Sequence, residues 1–129
     1  MTIDINRVEL EGNLGWPPVL RRPQSGSEPS ATLSLATNFG WTDRQGACRS
    51  RTDWIAVVVL DPALVETCRT LAKGARVRIT GRLETRRWKP HGALYERSTT
   101  EVVLRPGAST IDPIPYDTPT HDEERNRQW

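Results

Sequence analysis

The sequence predicts an all-β domain, a small barrel that carries a single helix. Three observations support this fold class. Short runs of alternating apolar and polar residues recur along the chain, one segment of helical period interrupts them, and turns rich in Gly and Pro separate them. The 129 residues, 36% of them hydrophobic, with a mean hydropathy of −0.59, suffice for one domain with a modest core.

The first three strands are indicated by alternation and by the turns between them. Asn6–Gly15 and Ser30–Asn38 each place apolar side chains on every second residue. The Trp16-Pro17-Pro18 bend and the Gln24–Pro29 loop separate these two runs. Thr52–Leu60 is nearly continuous in β-branched and other apolar residues, so we expect it to be the central strand, buried on much of both faces.

One helix is predicted after the third strand. Asp61 is a suitable N-cap, Pro62 fits the first helical position, and Gly74 follows the last helical residue, Lys73. The stripe that should pack against the sheet is Leu64, Cys68 and Leu71.

Two more strands follow the helix. Ala75–Leu83 alternates with Val77, Ile79 and Leu83 on its inner side, and Tyr95–Leu104 forms the last strand. Three strands, a helix and two strands are typical of the OB-fold, a five-stranded Greek-key barrel with one helix between strands 3 and 4 and long hairpin loops. An open α+β sheet is the structural alternative.

Charge and composition divide the chain into two parts. Residues 1–105 contain 16 Lys and Arg against 11 Asp and Glu, whereas residues 106–129 contain 2 Arg against 5 Asp and Glu. Prolines punctuate this second part, and it lacks apolar periodicity. We therefore predict a domain over residues 1–105 and a disordered acidic tail over residues 106–129. A basic body with an acidic tail also indicates nucleic-acid contact.

Enzymatic function is disfavoured by the motifs. The sequence has no glycine-rich phosphate loop, no HExxH and no CxxC, and neither His91 nor His121 has an evident partner for acid–base chemistry. Cys48 and Cys68 lack metal-ligand spacing. We expect no catalytic residue, no metal and no cofactor. No apolar run approaches the roughly 20 residues that span a bilayer, and no export signal is evident, so a cytoplasmic location is expected.

Tryptophans and basic residues occur together on two predicted hairpins. Flat aromatic rings along a cationic surface are what single-stranded nucleic acid requires, since bases stack and phosphates need counter-charges. A tryptophan taken alone is more often a core residue, and Trp54, beside an apolar run, fits that alternative best. The combination favours binding, and the candidate residues are Trp41, Trp54, Trp88, Arg44, Arg49, Arg51, Arg82, Arg86, Arg87, Lys89 and Arg97.

Several short motifs lie in register between residues 5 and 105. They are Asn6–Gly15, Leu33–Asn38 with Trp41 and Asp43, Thr52–Trp54 with Val57 and Val58, Leu71–Gly74, Val77, Gly81–Arg86, Trp88 and Thr99–Val103. In these segments the chain resembles the bacterial single-stranded DNA-binding proteins. The resemblance implies an OB-fold that wraps single-stranded DNA without base specificity in replication, recombination or repair. It also implies assembly as a homotetramer and a nucleoid-associated location.

The family's stacking aromatics match Trp41, Trp54 and Trp88, but three departures suggest a specialised copy. Leu60 stands where the family has a fourth aromatic residue. Ile55 replaces a histidine of the subunit contact, which leaves a homodimer as the alternative assembly. The terminal Asp122–Trp129 replaces aspartates followed by Ile-Pro-Phe, the segment that recruits replication and repair proteins. An interaction module with a degraded groove and a single-stranded RNA binder are the alternative functions.

Overall fold

The computed structural model describes residues 1–22 and 28–115. Seven strands and one helix follow one another in this part of the chain. In order they are β1 (Val8–Leu14), β2 (Val19–Arg21), β3 (Ser30–Thr42), β4 (Cys48–Val59), α1 (Pro62–Cys68), β5 (Arg76–Trp88), β6 (Arg97–Leu104) and β7 (Thr110–Pro113).

Five of these strands close into a barrel. Along Val8–Asn13, β1 pairs with β5, and at Asn13 and Leu14 it also reaches β3, so it joins the two ends of the path β3-β4-β6-β5. The β4–β6 pair is parallel and the other barrel pairs are antiparallel. The predicted Greek-key barrel, with its helix between the third and fourth barrel strands, is confirmed.

The core lies inside the barrel and is built from every second residue of each strand. Leu33 and Leu35 of β3 face Val57 and Val59 of β4, and all four are almost completely buried. Burial of each such side chain contributes about 1.5–3 kcal/mol. Cys68 of α1 packs against this cluster, and burial raises the pKa of its thiol to about 11.

The prediction that the central strand would be buried on both faces is wrong for its outer face. Val57 and Val59 point inward, but Trp54 and Ala56 are exposed. The helix packs Val65 and Cys68 against the core and leaves Trp54 and Ala56 on the outside of β4 exposed. This leaves an open surface that spans several strands.

The helix is shorter than the sequence predicted. Asp61 is its N-cap and accepts a hydrogen bond from the Ala63 amide, as expected. The helix ends at Cys68, and a turn follows that leads to Gly74 at φ +87°. Among the described residues, no helix has the length and hydropathy to cross a membrane.

A short strand beyond the predicted domain boundary at residue 105 adds to the sheet. β7 pairs with β5, with Ile111 opposite Ile79, and Ile111 is buried against the core. The Ile114 amide also donates to the Arg76 carbonyl oxygen. One buried isoleucine and a short ladder therefore hold a segment that the sequence assigned to the tail. Of the predicted tail, residues 116–129 lie outside the described residues.

Two predicted strands differ from the structure at their outer ends. Leu83, expected to point inward, continues the inner face of β5 past the end of the core and is exposed. Its backbone amide and carbonyl bond the Asn6 side chain, which ties the N-terminal segment to β5. The last barrel strand begins at Arg97 rather than at Tyr95.

Candidate nucleic-acid interface

The β3–β4 hairpin presents two different faces. Its register runs without a break along the whole hairpin, and successive side chains of a strand alternate between faces. Leu33 and Leu35 point into the barrel. Trp54 pairs with Ala36, which directly follows the inward-pointing Leu35. Because side chains alternate, Ala36 and Trp54 both lie on the outer face.

Trp88 lies on this outer face too, at the end of β5. β6 connects the two hairpins, since Val58 of β4 pairs with Val103, and Val103 pairs with Arg82 of β5. Counting from Arg82 in steps of two along β5 leads to Trp88. The fold therefore brings Trp54 and Trp88, which are 34 positions apart in the sequence, to one face of the sheet.

A groove of about 620 Å³ lies on the outer face, and its lining includes Arg86 of the predicted site residues but none of the three tryptophans. Strands β2 to β6 contribute its lining, which is polar and aliphatic and includes three arginines and two glutamates. Leu60, at the end of β4, lies in its wall, where an aromatic ring was expected from the resemblance. The lining residues are Arg21, Ser30, Thr32, Val58, Leu60, Glu84, Thr85, Arg86, Glu101, Val103 and Arg105.

Trp54 is held in place by a glycine. A Cβ atom added to Gly15 would fall 2.1 Å from Cζ3 of the Trp54 ring, so the indole lies directly against the Gly15 backbone. The Gly15 amide donates to the Ser34 carbonyl oxygen, which fixes this floor to β3. One face of the ring is supported and the residue stays 61% exposed. The alternative that Trp54 is a core residue is excluded.

Trp88 is less exposed than its polar surroundings indicated. The Arg86 guanidinium lies over its ring, 5.0 Å from the centroid, and Trp88 is 38% exposed. The Arg86 Nε also donates to Glu101 at 3.1 Å. Arg86 therefore links a base-stacking candidate to a carboxylate, and a ligand phosphate would compete with that carboxylate.

Trp41 lies on the opposite face of the β3–β4 hairpin from Trp54. It stacks on Phe39, with ring centroids 5.6 Å apart and planes inclined by 22°. Arg49 and Arg51 are their cross-strand partners. Sequence reasoning missed Phe39, although its position two residues before Trp41 on a strand was a readable sign of a shared face.

The predicted cations divide into two groups. Four have carboxylate partners: Arg49 with Asp43, Arg51 with Asp53, Arg82 with Glu84 and Arg86 with Glu101. The other four make no ion pair with a described residue. These unpaired cations are Arg44, Arg87, Lys89 and Arg97.

Two glutamates give the groove a mixed charge that the sequence did not suggest. Arg105 donates to both oxygens of Glu84, and it holds the pKa of that carboxyl below its usual value. Glu101 pairs with Arg86. The groove thus carries internal ion pairs that an anionic ligand must exchange. No group of three or more metal-ligating side chains is found in residues 1–22 and 28–115.

Comparison with known proteins identifies similar chains. The model of the single-strand binding protein family matches residues 5–109. The single-stranded DNA-binding protein of Rhizobium meliloti (strain 1021) is 40% identical over 113 residues, which are 86% of this chain and 64% of that protein. The chain thus spans less than two thirds of this relative's length.

Solved structures agree with this result. A Plasmodium falciparum SSB complex with ssDNA has a TM-score of 0.80 and 32% identity, and the match covers 89% of this chain and 99% of that one. A deletion mutant of the single-stranded DNA binding protein from Thermus aquaticus has a TM-score of 0.72 and 29% identity, with 87% of this chain and 51% of that one covered.

Proposed function

Because the chain belongs to the single-strand binding protein family, we propose that it binds single-stranded DNA and protects it during replication, recombination or repair. One observation supports this most directly: Trp54 and Trp88 lie exposed on one face, and a groove lined by Arg86 lies on the same face. Every base has a face that can stack, at about 1–3 kcal/mol per base, so binding needs no particular sequence.

The cations would act in two ways. Arg44, Arg87, Lys89 and Arg97 meet phosphates directly, because no described carboxylate holds them. The paired cations must give up a carboxylate before they contact a phosphate, so the lost ion pair offsets part of the binding free energy of the new contact. These cations are Arg49, Arg51, Arg82 and Arg86. Trp41 and Phe39 form a second stacking surface, so a strand that contacts all three tryptophans passes around the β3–β4 hairpin.

A fluorescence titration with oligo-dT tests this function. We expect strong tryptophan quenching, with log K falling linearly as log salt rises. Each phosphate neutralised contributes about −0.7 to the slope for a single strand, so the four unpaired cations alone would give a slope of roughly −3 per protomer. No quenching at low salt would overturn the proposal. Equal competition by a matched RNA oligomer would broaden it to single strands of either sugar.

We also propose that the protein assembles, as a homotetramer or, since Ile55 lacks the polar contact of the family, as a homodimer. Ile3, Ile5 and Leu83 are exposed around one groove at the N-terminal segment, and assembly would remove such an apolar patch from water. Mass measurement in solution should give a multiple of the 14.6 kDa protomer. A protomer mass at micromolar concentration would contradict assembly.

We further propose a domain organisation and a cellular location for the protein. The DNA-binding domain of residues 1–105 is extended by β7, and the acidic segment beyond it is the candidate recruiter of replication or repair proteins. We place the protein in the cytoplasm with the nucleoid, where single strands become exposed.

A further inference from the structure

Trp16 is an exposed aromatic side chain that the proposed groove does not yet include. It is 64% exposed, against 61% for Trp54, 40% for Trp41 and 38% for Trp88. A base can stack only on an aromatic ring that has an accessible face, and Trp16 meets this requirement.

The backbone on both sides of Trp16 is fixed along the outer edge of β3. The Gly15 amide donates to the Ser34 carbonyl oxygen at 2.9 Å, and Val19 pairs with Thr32. Two prolines, Pro17 and Pro18, stiffen the segment between these anchors. The backbone of Trp16 therefore belongs to a rigid segment that is anchored to β3 at Ser34 and at Thr32.

Trp16 also directly follows the residue that supports Trp54. Gly15 is the floor of the Trp54 ring, so the backbone of Trp16 begins next to that indole. Consecutive Cα atoms are about 3.8 Å apart, so the backbone of Trp16 begins beside the floor of the Trp54 platform.

A lysine supplies a positive charge at this position. Lys73 Nζ lies 5.4 Å from the centroid of the Trp16 ring. The turn that carries Lys73 is held to the end of β1, since the Gly74 amide donates to the Leu14 carbonyl oxygen and the Leu14 amide donates to the Ala75 carbonyl oxygen. An aromatic face and a cation are thus held together, and these are the two groups that a nucleotide needs.

We propose that Trp16 is a fourth base-stacking platform, with Lys73 as its phosphate contact. It extends the DNA path past Trp54 toward β2. This inference rests on the proposed binding of single-stranded DNA. The chain has Leu60 in place of an aromatic residue in the groove wall, and Trp16 supplies a further exposed ring next in sequence to the Gly15 floor of Trp54.

The test measures oligo-dT affinity and protomer mass for Trp16→Ala and Trp16→Phe, using a long oligomer of a few dozen nucleotides. Loss of one stacked base should weaken binding roughly 5- to 150-fold for Trp16→Ala, and less for Trp16→Phe. Lys73→Gln should lower the salt slope by about 0.7. Arg69→Gln, which removes a charge paired with Glu66 just before this turn, is the matched control and should leave the slope unchanged.

The outcomes separate the two proposals. If the wild type does not bind, the proposed function fails. If the wild type binds and Trp16→Ala binds equally well, the function stands and the fourth platform is rejected. A change in assembly mass with unaltered affinity per protomer would also reject it, and would assign Trp16 to a subunit contact.

Discussion

Replacing Trp54 and Trp88 together by alanine should reduce the affinity for oligo-dT by roughly thirtyfold or more. Each ring contributes about 1–3 kcal/mol of stacking, and the two lie on separate hairpins, so their losses should add. Both side chains are exposed, Trp54 by 61% and Trp88 by 38%, so the free energy of unfolding should change little. Fluorescence anisotropy with a labelled oligomer measures the affinity, and urea unfolding measures the stability.

Leu94→Ala is the matched control for the loss of an exposed apolar side chain. Leu94 lies in the loop beyond Trp88 and is more exposed than either tryptophan, but it has no flat ring. Its removal should leave affinity within about twofold. Unchanged binding in the double variant would show that stacking on this face is not the mechanism.

Gly15→Ala tests the position of Trp54 without changing its chemistry. The new methyl group would fall 2.1 Å from Cζ3 and 2.9 Å from Cη2 of the indole, so the ring must leave its floor. The neighbour that moves is the end of an exposed side chain, so stability should fall less than affinity. Affinity equal to the wild type would show that the supported position of Trp54 does not matter for binding.

The barrel could be predicted from the sequence because its strands obey a local rule. Alternation at Leu33 and Leu35, and the change of period at Asp61-Pro62, report burial directly. The short strands could not be found this way. β2 has three residues and β7 has four, and Pro113 at the end of β7 argues against a strand. They form because β3 and β5 each present backbone N–H and C=O groups with which a short additional strand can pair.

The sequence allows candidate site residues to be chosen by type, but it does not give their arrangement. Which face holds Trp54 depends on register, and a shift of one residue would move it to the face of Trp41. The pairing of Arg105 with Glu84 joins residues 21 positions apart, and no spacing in the sequence indicates it. Pairing of this kind decides which of the predicted arginines are available to phosphates.

Gly12→Ala should destabilise the fold by about 3 kcal/mol, because Gly12 lies where β1 passes from β5 to β3. An added Cβ would fall 2.2 Å from the Ala36 carbonyl oxygen and 3.0 Å from its carbon, both backbone atoms of β3. A backbone ladder cannot move aside as a side chain can. The expected loss of unfolding free energy therefore lies at the upper end of the range for overpacked positions. The strand affected is β1, which closes the barrel by pairing with both β3 and β5. Urea unfolding should show a midpoint at least about 1 M lower.

Gly46→Ala separates this close approach from the general effect of adding a methyl group to a glycine. Gly46 has φ +80° in the β3–β4 turn and no atom within 4 Å of an added Cβ, so only backbone strain of about 1 kcal/mol is expected there. Both variants must be compared at one protein concentration, because assembly contributes to the measured stability. Equal losses would refute the collision with β3, whereas a threefold larger loss at Gly12 would locate barrel closure at the point where β1 touches both neighbouring strands.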